Sequence, residues 1–211
     1  MNLRVIQDEW SNCTRCAFET PRTPRLGNGN KNAEILIIED APRGPDRDEL
    51  FGGDRGAFFQ AALRSSGLEM RRAFYMTLVA CRVFSVTEKT ETADEMEHDV
   101  DPKAAIIKNC HPRVLETIYA VDPRIVLLFG AKAWSTLVND RKTYNTASQA
   151  LGELFEISVP GITATLTYPA MAFPGALNIL ANPSTASFAP GPVTVAALKR
   201  VAQYLNTLDR N

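Results

Sequence analysis

The stretch AEILIIEDAPRGPDRDELFGGDRG, residues 33–56, decides the fold that the sequence predicts. Its apolar run ILII at 35–38 is typical of a buried strand. The following EDAPRG at 39–44 ends that strand, because two carboxylates, a proline and a glycine cannot continue a central strand. Ligands of open α/β sheets bind beyond the carboxyl ends of the strands. We therefore expect the functional site at the turn 39–44.

Segments typical of strands and of helices alternate along the rest of the chain. Further strands are predicted at 74–79, 124–130, 154–159, 163–167 and 177–180, and helices at 3–12, 56–66, 104–121, 130–138 and 193–208. This alternation predicts an α/β fold, a three-layer αβα sandwich with a mostly parallel central sheet. Residues 84–103 are polar and acidic, so we expect a mobile insertion or a surface excursion there. No internal repeat is visible, and we expect one domain over residues 1–211.

The composition excludes several classes of protein. The chain has 211 residues, 45% of them hydrophobic, which is enough for one domain with a sizeable core. The net charge of -1 provides no overall basic field for nucleic acid, although arginines are scattered near the predicted site. No apolar run reaches the roughly 20 residues that a membrane helix needs. Charges interrupt residues 1–13 where a signal peptide would have its apolar core, so we expect a cytosolic protein with reduced cysteines.

All four cysteines fit one pattern, Cys13-x2-Cys16 followed by Cys81 and Cys110. The CxxC pair places two thiolates on one turn, and two distant cysteines at the ends of other elements can complete the set. Four thiolates suit zinc and a [4Fe–4S] cluster equally well. The alternative is a redox CxxC with two buried core cysteines. The CxxC precedes the first strand instead of opening a helix after it, which counts against a thioredoxin-type site.

The order of the motifs resembles that of the iron–sulfur uracil-DNA glycosylases, the family 4 type of the uracil-DNA glycosylase superfamily. That family opens with CxxC, a G-x-G-N-like segment, a strand and a GEAPG turn. The matching segments here are CTRC at 13–16, GNGN at 27–30 and EDAPR at 39–43. The resemblance covers most of the chain.

The second half of the family pattern is also present. LFGGDRG at 50–56 matches its P-F-x-G-x-x-G loop, and MTLVACR at 76–82 matches its strand leading into C-R-P. After Cys110, DPRIVLLFGAKA at 122–133 matches P-x-h-h-h-x-L-G-x-x-A, where h is an apolar residue. The gap between Cys81 and Cys110 is longer than in the family.

The resemblance implies a cofactor and a partner. Four residues would hold a [4Fe–4S] cluster with a mostly structural role: Cys13, Cys16, Cys81 and Cys110. The partner would be DNA, single- or double-stranded, and we expect a monomer in the cytoplasm of a bacterial, archaeal or phage-infected cell.

The resemblance also implies roles for residues near the turn. Phe51 lies where the family has its ring-stacking Phe, although a core Phe is the alternative. Asp40 takes the place of the family's Glu and would steer water or stabilise a cationic sugar; an exposed turn carboxylate is the alternative. The backbone of Asp40, Ala41 and Pro42, with the nearby Gly44, would line the base pocket. Phosphate contacts are expected from Arg43, Arg55, Arg82, Lys132 and Ser184.

Two pocket positions depart from the family pattern. Thr77 replaces an Asn that reads the uracil edge, and a hydroxyl cannot donate and accept in the same fork as an amide. Asn182, in Asn182-Pro183-Ser184, replaces the His of HPS, and its amide would support the oxyanion on uracil O2 more weakly. Because the scaffold and cysteines are kept, these changes favour an altered substrate or reaction.

Three functions follow as hypotheses. The first is an enzyme that hydrolyses the N-glycosidic bond of uracil or a modified pyrimidine in DNA. The second is a transferase that modifies a flipped, 5-substituted pyrimidine in phage-type hypermodified DNA. The third is a non-catalytic binder of damaged or modified DNA.

Overall fold

The computed structural model describes residues 2–18, 22–44, 50, 53–87, 96–139, 144–146, 148–173 and 192–209. The strands are β1 Asn28–Gly29, β2 Ile35–Glu39, β3 Ala73–Thr77, β4 Phe84–Thr87, β5 Met96–Asp99, β6 Ile125–Phe129, β7 Leu154–Pro160 and β8 Thr165–Phe173. The helices are α1 Leu3–Ser11, α2 Gly53–Ser65, α3 Ala104–Val121, α4 Ala131–Leu137 and α5 Pro192–Leu208, with a 3-10 turn at Met70–Arg72.

Six strands form the central sheet in the order β1-β3-β2-β6-β8-β7. The four inner strands β3, β2, β6 and β8 run parallel, and the edge strands β1 and β7 are antiparallel to their neighbours. Parallel strands are buried on both faces, which explains why β2 and β6 are uninterrupted apolar runs buried along their whole length. The prediction of a mostly parallel sheet is confirmed.

Helices cover both faces of this sheet. Leu36, Ile38 and Leu128 belong to a cluster that α3 and α4 complete with Val114, Ile118 and Trp134. Their neighbours Ile35, Ile37 and Leu127 point to the other face, against Phe59 and Leu63 of α2 and Leu198 and Val201 of α5. This alternation is the two-residue period of a strand. The result is the predicted three-layer αβα sandwich.

Strand β8 is longer than predicted. The predicted hairpin across Pro160-Gly161 is present, but β8 continues to Phe173 and becomes an inner strand of the sheet. Pro169 argues against an inner strand, because it has no N–H to donate. Pairing with β6 begins one residue later, at Ala170, so the proline does not interrupt that ladder. The predicted strand at 177–180 lies outside the described residues.

The described part of the acidic segment 84–103 begins as a surface hairpin. Strands β4 and β5 pair antiparallel in a separate two-stranded sheet. The guanidinium of Arg22 lies 3.6 Å above the ring of Phe84, and that of Arg82 lies 4.8 Å from the same ring. These contacts attach the hairpin to the chain before β2 and to the residue after Cys81.

The carboxyl ends of three parallel strands meet at one edge of the sheet. Glu39, the last residue of β2, is in register with Thr77 of β3 and Phe129 of β6. Beyond the strands the backbones stay joined, because Leu78 donates to the Glu39 carbonyl at 2.6 Å and Val79 to the Asp40 carbonyl at 3.1 Å. The residues that follow these strands are therefore neighbours. No helix in the described part of the chain has the length and apolar character needed to cross a membrane.

Candidate functional site

Asp40, the first residue after β2, is held by the start of α4. Its Oδ1 accepts a hydrogen bond of 2.7 Å from the amide of Ala133. Gly130 precedes α4 with φ +114°, and a Cβ at Gly130 would overlap the Asp40 carboxyl group. The chain can place a carboxylate here because residue 130 has no side chain. Asp40 thus lies at the carboxyl edge of the sheet, where its role was predicted.

The environment of Asp40 acts on its charge in two directions. Burial raises the pKa of this carboxyl group, whereas the amides of Ala133 and Lys132 and the charge of Arg43 oppose that rise. A half-buried carboxylate held by backbone donors has a fixed orientation. It is chemically suited to hold a water molecule or to face positive charge in a substrate.

The rest of the turn 41–44 packs against the region of β5. Ala41 and Pro42 are buried. The amide of Gly44 donates to Asp99 Oδ2 at 3.0 Å, and Arg43 Nη2 lies 3.9 Å from Asp101 Oδ1. The acidic segment that the sequence left without a role therefore contacts the predicted pocket turn.

Thr77 has its hydroxyl occupied within its own chain. The residue is 0% exposed, and its Oγ1 donates to the carbonyl of Val79 at 2.8 Å. It remains beside Glu39 at the end of β3. In this arrangement the Thr77 hydroxyl proton is not directed at a base edge, which agrees with the departure from the Asn of the family pattern.

The residues expected to contact phosphate have different surroundings. Arg82 pairs with Asp99 at 2.5 Å and with Glu97, so phosphate would compete with two carboxylates. Lys132, in the first turn of α4, lines a groove with Lys108 and His111. Four predictions lie outside the residues or side chains that the structure describes: Phe51, Asn182, Ser184 and the side chain of Arg55.

The four cysteines line one cavity of about 340 Å³. Cys13 and Cys16 follow α1, Cys81 follows β3, and Cys110 lies on α3. All four are free thiols; Cys81 and Cys110 are buried, and the other two are half-buried. The structure thus brings together three segments that are far apart in the sequence.

Hydrogen-bond donors accompany two of the sulfurs. Asn109 Nδ2 donates to the carbonyl of Arg15 at 2.8 Å and lies 3.6 Å from Cys16 Sγ. The amide of Ala80 donates to Cys110, which opposes the rise in the pKa of that thiol caused by burial. Burial also raises the pKa of Cys81 to about 11. Without a bound cation the two buried cysteines therefore favour the neutral thiol.

The described side chains do not form a ready-made site for a single metal ion. Among the described residues, no group of three or more His, Cys, Asp or Glu side chains is placed to hold one. The four cysteines nevertheless line one cavity, and four thiolates are a ligand set that suits zinc and a [4Fe–4S] cluster alike.

Arg113 is a residue of this region that the sequence analysis missed. It lies three residues after Cys110 on the same face of α3 and is only 1% exposed. Its Nη2 donates to the carbonyls of Thr77 and Leu78, the latter at 3.3 Å. The signal was present in the helical spacing of Cys110 and Arg113, but an arginine in a helix usually faces solvent.

A comparison with known families identifies the chain. Residues 26–206 match the family model described as Uracil DNA glycosylase superfamily, a range that runs from just before β1 into α5. No curated protein matches the sequence. The matched range begins after Cys16 and so contains two of the four cysteines, and it does not select a subtype. Since the match covers most of the chain and the α/β sandwich agrees with it, the protein belongs to the uracil DNA glycosylase superfamily.

Proposed function

We propose that the protein flips a base out of DNA and hydrolyses the N-glycosidic bond of uracil or of a modified pyrimidine. Membership of a superfamily composed mostly of DNA-binding glycosylase hydrolases supports this activity. The structural observation that carries it is the Asp40 carboxylate, fixed at the carboxyl edge of the sheet by Ala133.

The chemistry requires few protein groups. Extruding the base costs a few kcal/mol of lost stacking and pairing. The N1–C1′ bond then breaks, the base leaves with the bonding electron pair and takes up a proton, and water adds its hydroxyl to C1′. Asp40 would stabilise positive charge on the sugar and orient that water. The Asn182 amide would donate to O2 of the leaving pyrimidine.

Base selection is where this chain differs from the family pattern. The hydroxyl of Thr77 is engaged with the Val79 carbonyl, so it does not supply the donor and acceptor of an amide. This observation favours a modified pyrimidine as the preferred base. It also keeps the transferase hypothesis as a second candidate, because an altered pocket with a retained scaffold suits a changed reaction.

We further propose that Cys13, Cys16, Cys81 and Cys110 hold a [4Fe–4S] cluster. Four thiols around one cavity of about 340 Å³ are the ligand set of such a cluster and support this proposal. When bound, the cluster would supply a rigid cross-link between the segment after α1, the end of β3, and α3.

Activity is tested with oligonucleotides that carry one uracil or one 5-substituted pyrimidine, in single strands and in duplexes. A glycosylase leaves an alkali-labile abasic site and releases the free base. An intact strand with a changed base mass would instead establish a transferase, and a mobility shift alone would establish a binder. Asn182→His should raise uracil excision; unchanged excision would contradict the role given to Asn182.

The cluster is tested on protein purified without oxygen. We expect about four irons and four sulfides per chain and a broad absorption near about 400 nm. Cys81→Ala should abolish both, whereas Arg64→Ala, at an exposed position of α2, should keep them. Iron-free wild-type protein after anaerobic reconstitution would rule out the cluster.

A further inference from the structure

Arg113 is a buried cation without a carboxylate partner in the part of the chain that the structure describes. Its Nη2 is used by the carbonyls of Thr77 and Leu78. Its Nε and Nη1 are buried and have no nitrogen or oxygen acceptor among the described residues, and the side chain that the guanidinium reaches is the Cys110 thiol. A buried cation that lacks compensation is strongly destabilising, so a structure rarely keeps one without a counter-charge.

The cysteines are groups close to Arg113 that can become negative. The thiols of Cys110, Cys81 and Cys13 lie close enough to Arg113 for their charges to oppose the lowering of its pKa by burial. As neutral thiols they provide no counter-charge. As thiolates bound to iron and sulfide they belong to a group with net negative charge.

We propose that Arg113 is a positioning residue for the four-cysteine site, with Nη2 holding the end of β3 while Nε and Nη1 donate to sulfur of a bound [4Fe–4S] cluster. This inference rests on the proposed cluster. The proposal gives Nε and Nη1 of Arg113 an anionic acceptor, the cluster, in the cavity that the four cysteines line. Hydrogen bonds to the sulfurs are among the main determinants of a cluster's reduction potential and stability.

The same side chain would connect the cluster to the pocket edge. Thr77 ends β3 beside Glu39, and Leu78 donates to the Glu39 carbonyl at 2.6 Å. Arg113 binds the carbonyls of both Thr77 and Leu78 from the side of α3. The position of this strand end would therefore depend on whether the cysteines carry the anionic cluster.

The experiment compares Arg113→Gln, Arg113→Lys and the exposed control Arg64→Gln in iron-loaded and iron-free protein. The Gln variant removes the positive charge but keeps an amide donor. The Lys variant keeps the charge but loses the planar set of N–H donors of the guanidinium. The measurements are the reduction potential, the rate at which a chelator removes the 400 nm absorption, and the unfolding midpoint of both forms. None of them requires catalytic activity.

Arg113→Gln should shift the potential to more negative values, because the lost positive charge no longer stabilises the added electron. It should lower the unfolding midpoint of the iron-loaded protein more than that of the iron-free protein. Arg113→Lys should shift the potential less but still lose the cluster to the chelator faster than wild type. Arg64→Gln should match wild type throughout.

A purely structural role for Arg113 gives a different pattern: equal loss of stability in both forms, with an unchanged potential and chelation rate. That result would overturn the inference while leaving the cluster in place. If Arg113→Gln does not fold, Arg113→Lys decides by itself: loss of the cluster to the chelator at the wild-type rate would overturn the inference. Wild-type protein without iron would defeat the cluster proposal itself, and the iron assay separates that case from the others.

Discussion

The Asp40 carboxylate accepts a 2.7 Å hydrogen bond from the amide of Ala133, so the residue that follows β2 is oriented by the first turn of α4. A carboxylate on a surface turn would sample several rotamers. This one is fixed by the backbone of another element and needs Gly130 beside it. Such fixed orientation is what electrostatic stabilisation of a transition state requires.

Asp40→Asn should separate catalysis from folding. The Asn oxygen can still accept from Ala133, so we expect a change in unfolding free energy below about 1 kcal/mol. Excision under single-turnover conditions should fall about 10²–10³-fold, as for the loss of one electrostatic group. Parallel losses of stability and activity would show that Asp40 is only structural.

The pH profile of excision gives a second test of Asp40. Burial raises the pKa of its carboxyl group, and the ionised form is the one proposed to act. Wild-type activity should therefore fall, as the pH decreases, at a pH above the ordinary Asp value of about 3.9. This acid limb should be absent from the residual activity of Asp40→Asn.

Gly130→Ala should be strongly destabilising. The residue has φ +114°, and the added Cβ would overlap the Asp40 carboxyl group. With ψ +160°, this backbone conformation is essentially restricted to glycine, so the strain alone costs about 1–3 kcal/mol and the overlap adds to it. Gly67→Ala is the matched control, because Gly67 has φ +78° and nothing within 4 Å of an added Cβ. Urea unfolding should show a larger loss at Gly130; equal losses would argue against the Asp40 contact.

Arg82→Ala should release the β4–β5 hairpin from the pocket turn. Arg82 pairs with Glu97 and Asp99, and Asp99 also accepts from the amide of Gly44 at 3.0 Å. Without Arg82 we expect faster hydrogen exchange in residues 84–87 and 96–99. Arg71→Ala, which breaks an exposed pair with Glu69, is the control and should leave that exchange unchanged.

Arg82 could hold the β4–β5 hairpin or bind a DNA phosphate, and hydrogen exchange together with DNA affinity distinguishes these two roles. If Arg82 acts through the hairpin, Asp99→Asn should raise hydrogen exchange in the same segments as Arg82→Ala. If Arg82 binds phosphate, its removal should weaken DNA binding uniformly across sequences and reduce the salt dependence. Asp99→Asn would then strengthen binding, because it frees the arginine from a competing carboxylate.

Glu34 should stabilise the protein only above acidic pH. It accepts from Arg72 Nε at 2.9 Å and lies 3.3 Å from Arg124 Nη1, and the Arg72 hydrogen bond lowers the pKa of its carboxyl group. A lowered folded-state pKa contributes stability above the unfolded value of about 4.3, and this is lost as the pH falls.

After allowance for solvent screening, Glu34→Gln should cost about 1 kcal/mol at pH 7. The difference from wild type in urea unfolding should shrink at pH 3. Glu69→Gln, in a fully exposed pair, should show no difference at either pH. A constant difference for Glu34→Gln at both pH values would contradict the ion-pair explanation.

The sequence predicted the fold well where burial alone decides it. The uninterrupted apolar runs at 35–38 and 125–129 indicate buried strands. Because segments typical of strands alternate with segments typical of helices, a sheet covered by helices follows. Strand β8 was predicted too short, since the effect of Pro169 depends on where pairing with β6 begins. That register is a property of the assembled sheet and not of the local sequence.

The sequence predicted which residue types belong to the candidate site, but not which side chains contact one another there. Asp40 and the four cysteines stand out as residue types in a recognisable order. The partners of Arg82 could not be predicted, because Glu97 and Asp99 reach it only through the pairing of β4 with β5. Arg113 was missed because its burial depends on how α3 packs against the end of β3.

Val79 donates its amide to the carbonyl of Asp40 at 3.1 Å and precedes Cys81 by two residues. The pocket turn and the cysteine cavity are thus consecutive parts of one short backbone path. If the proposed cluster and base pocket are present, a variant redesigned for a new base needs an iron assay, and a cysteine variant needs an assay of base selectivity. A change in one of these two regions is then expected to alter the other through the backbone that joins them.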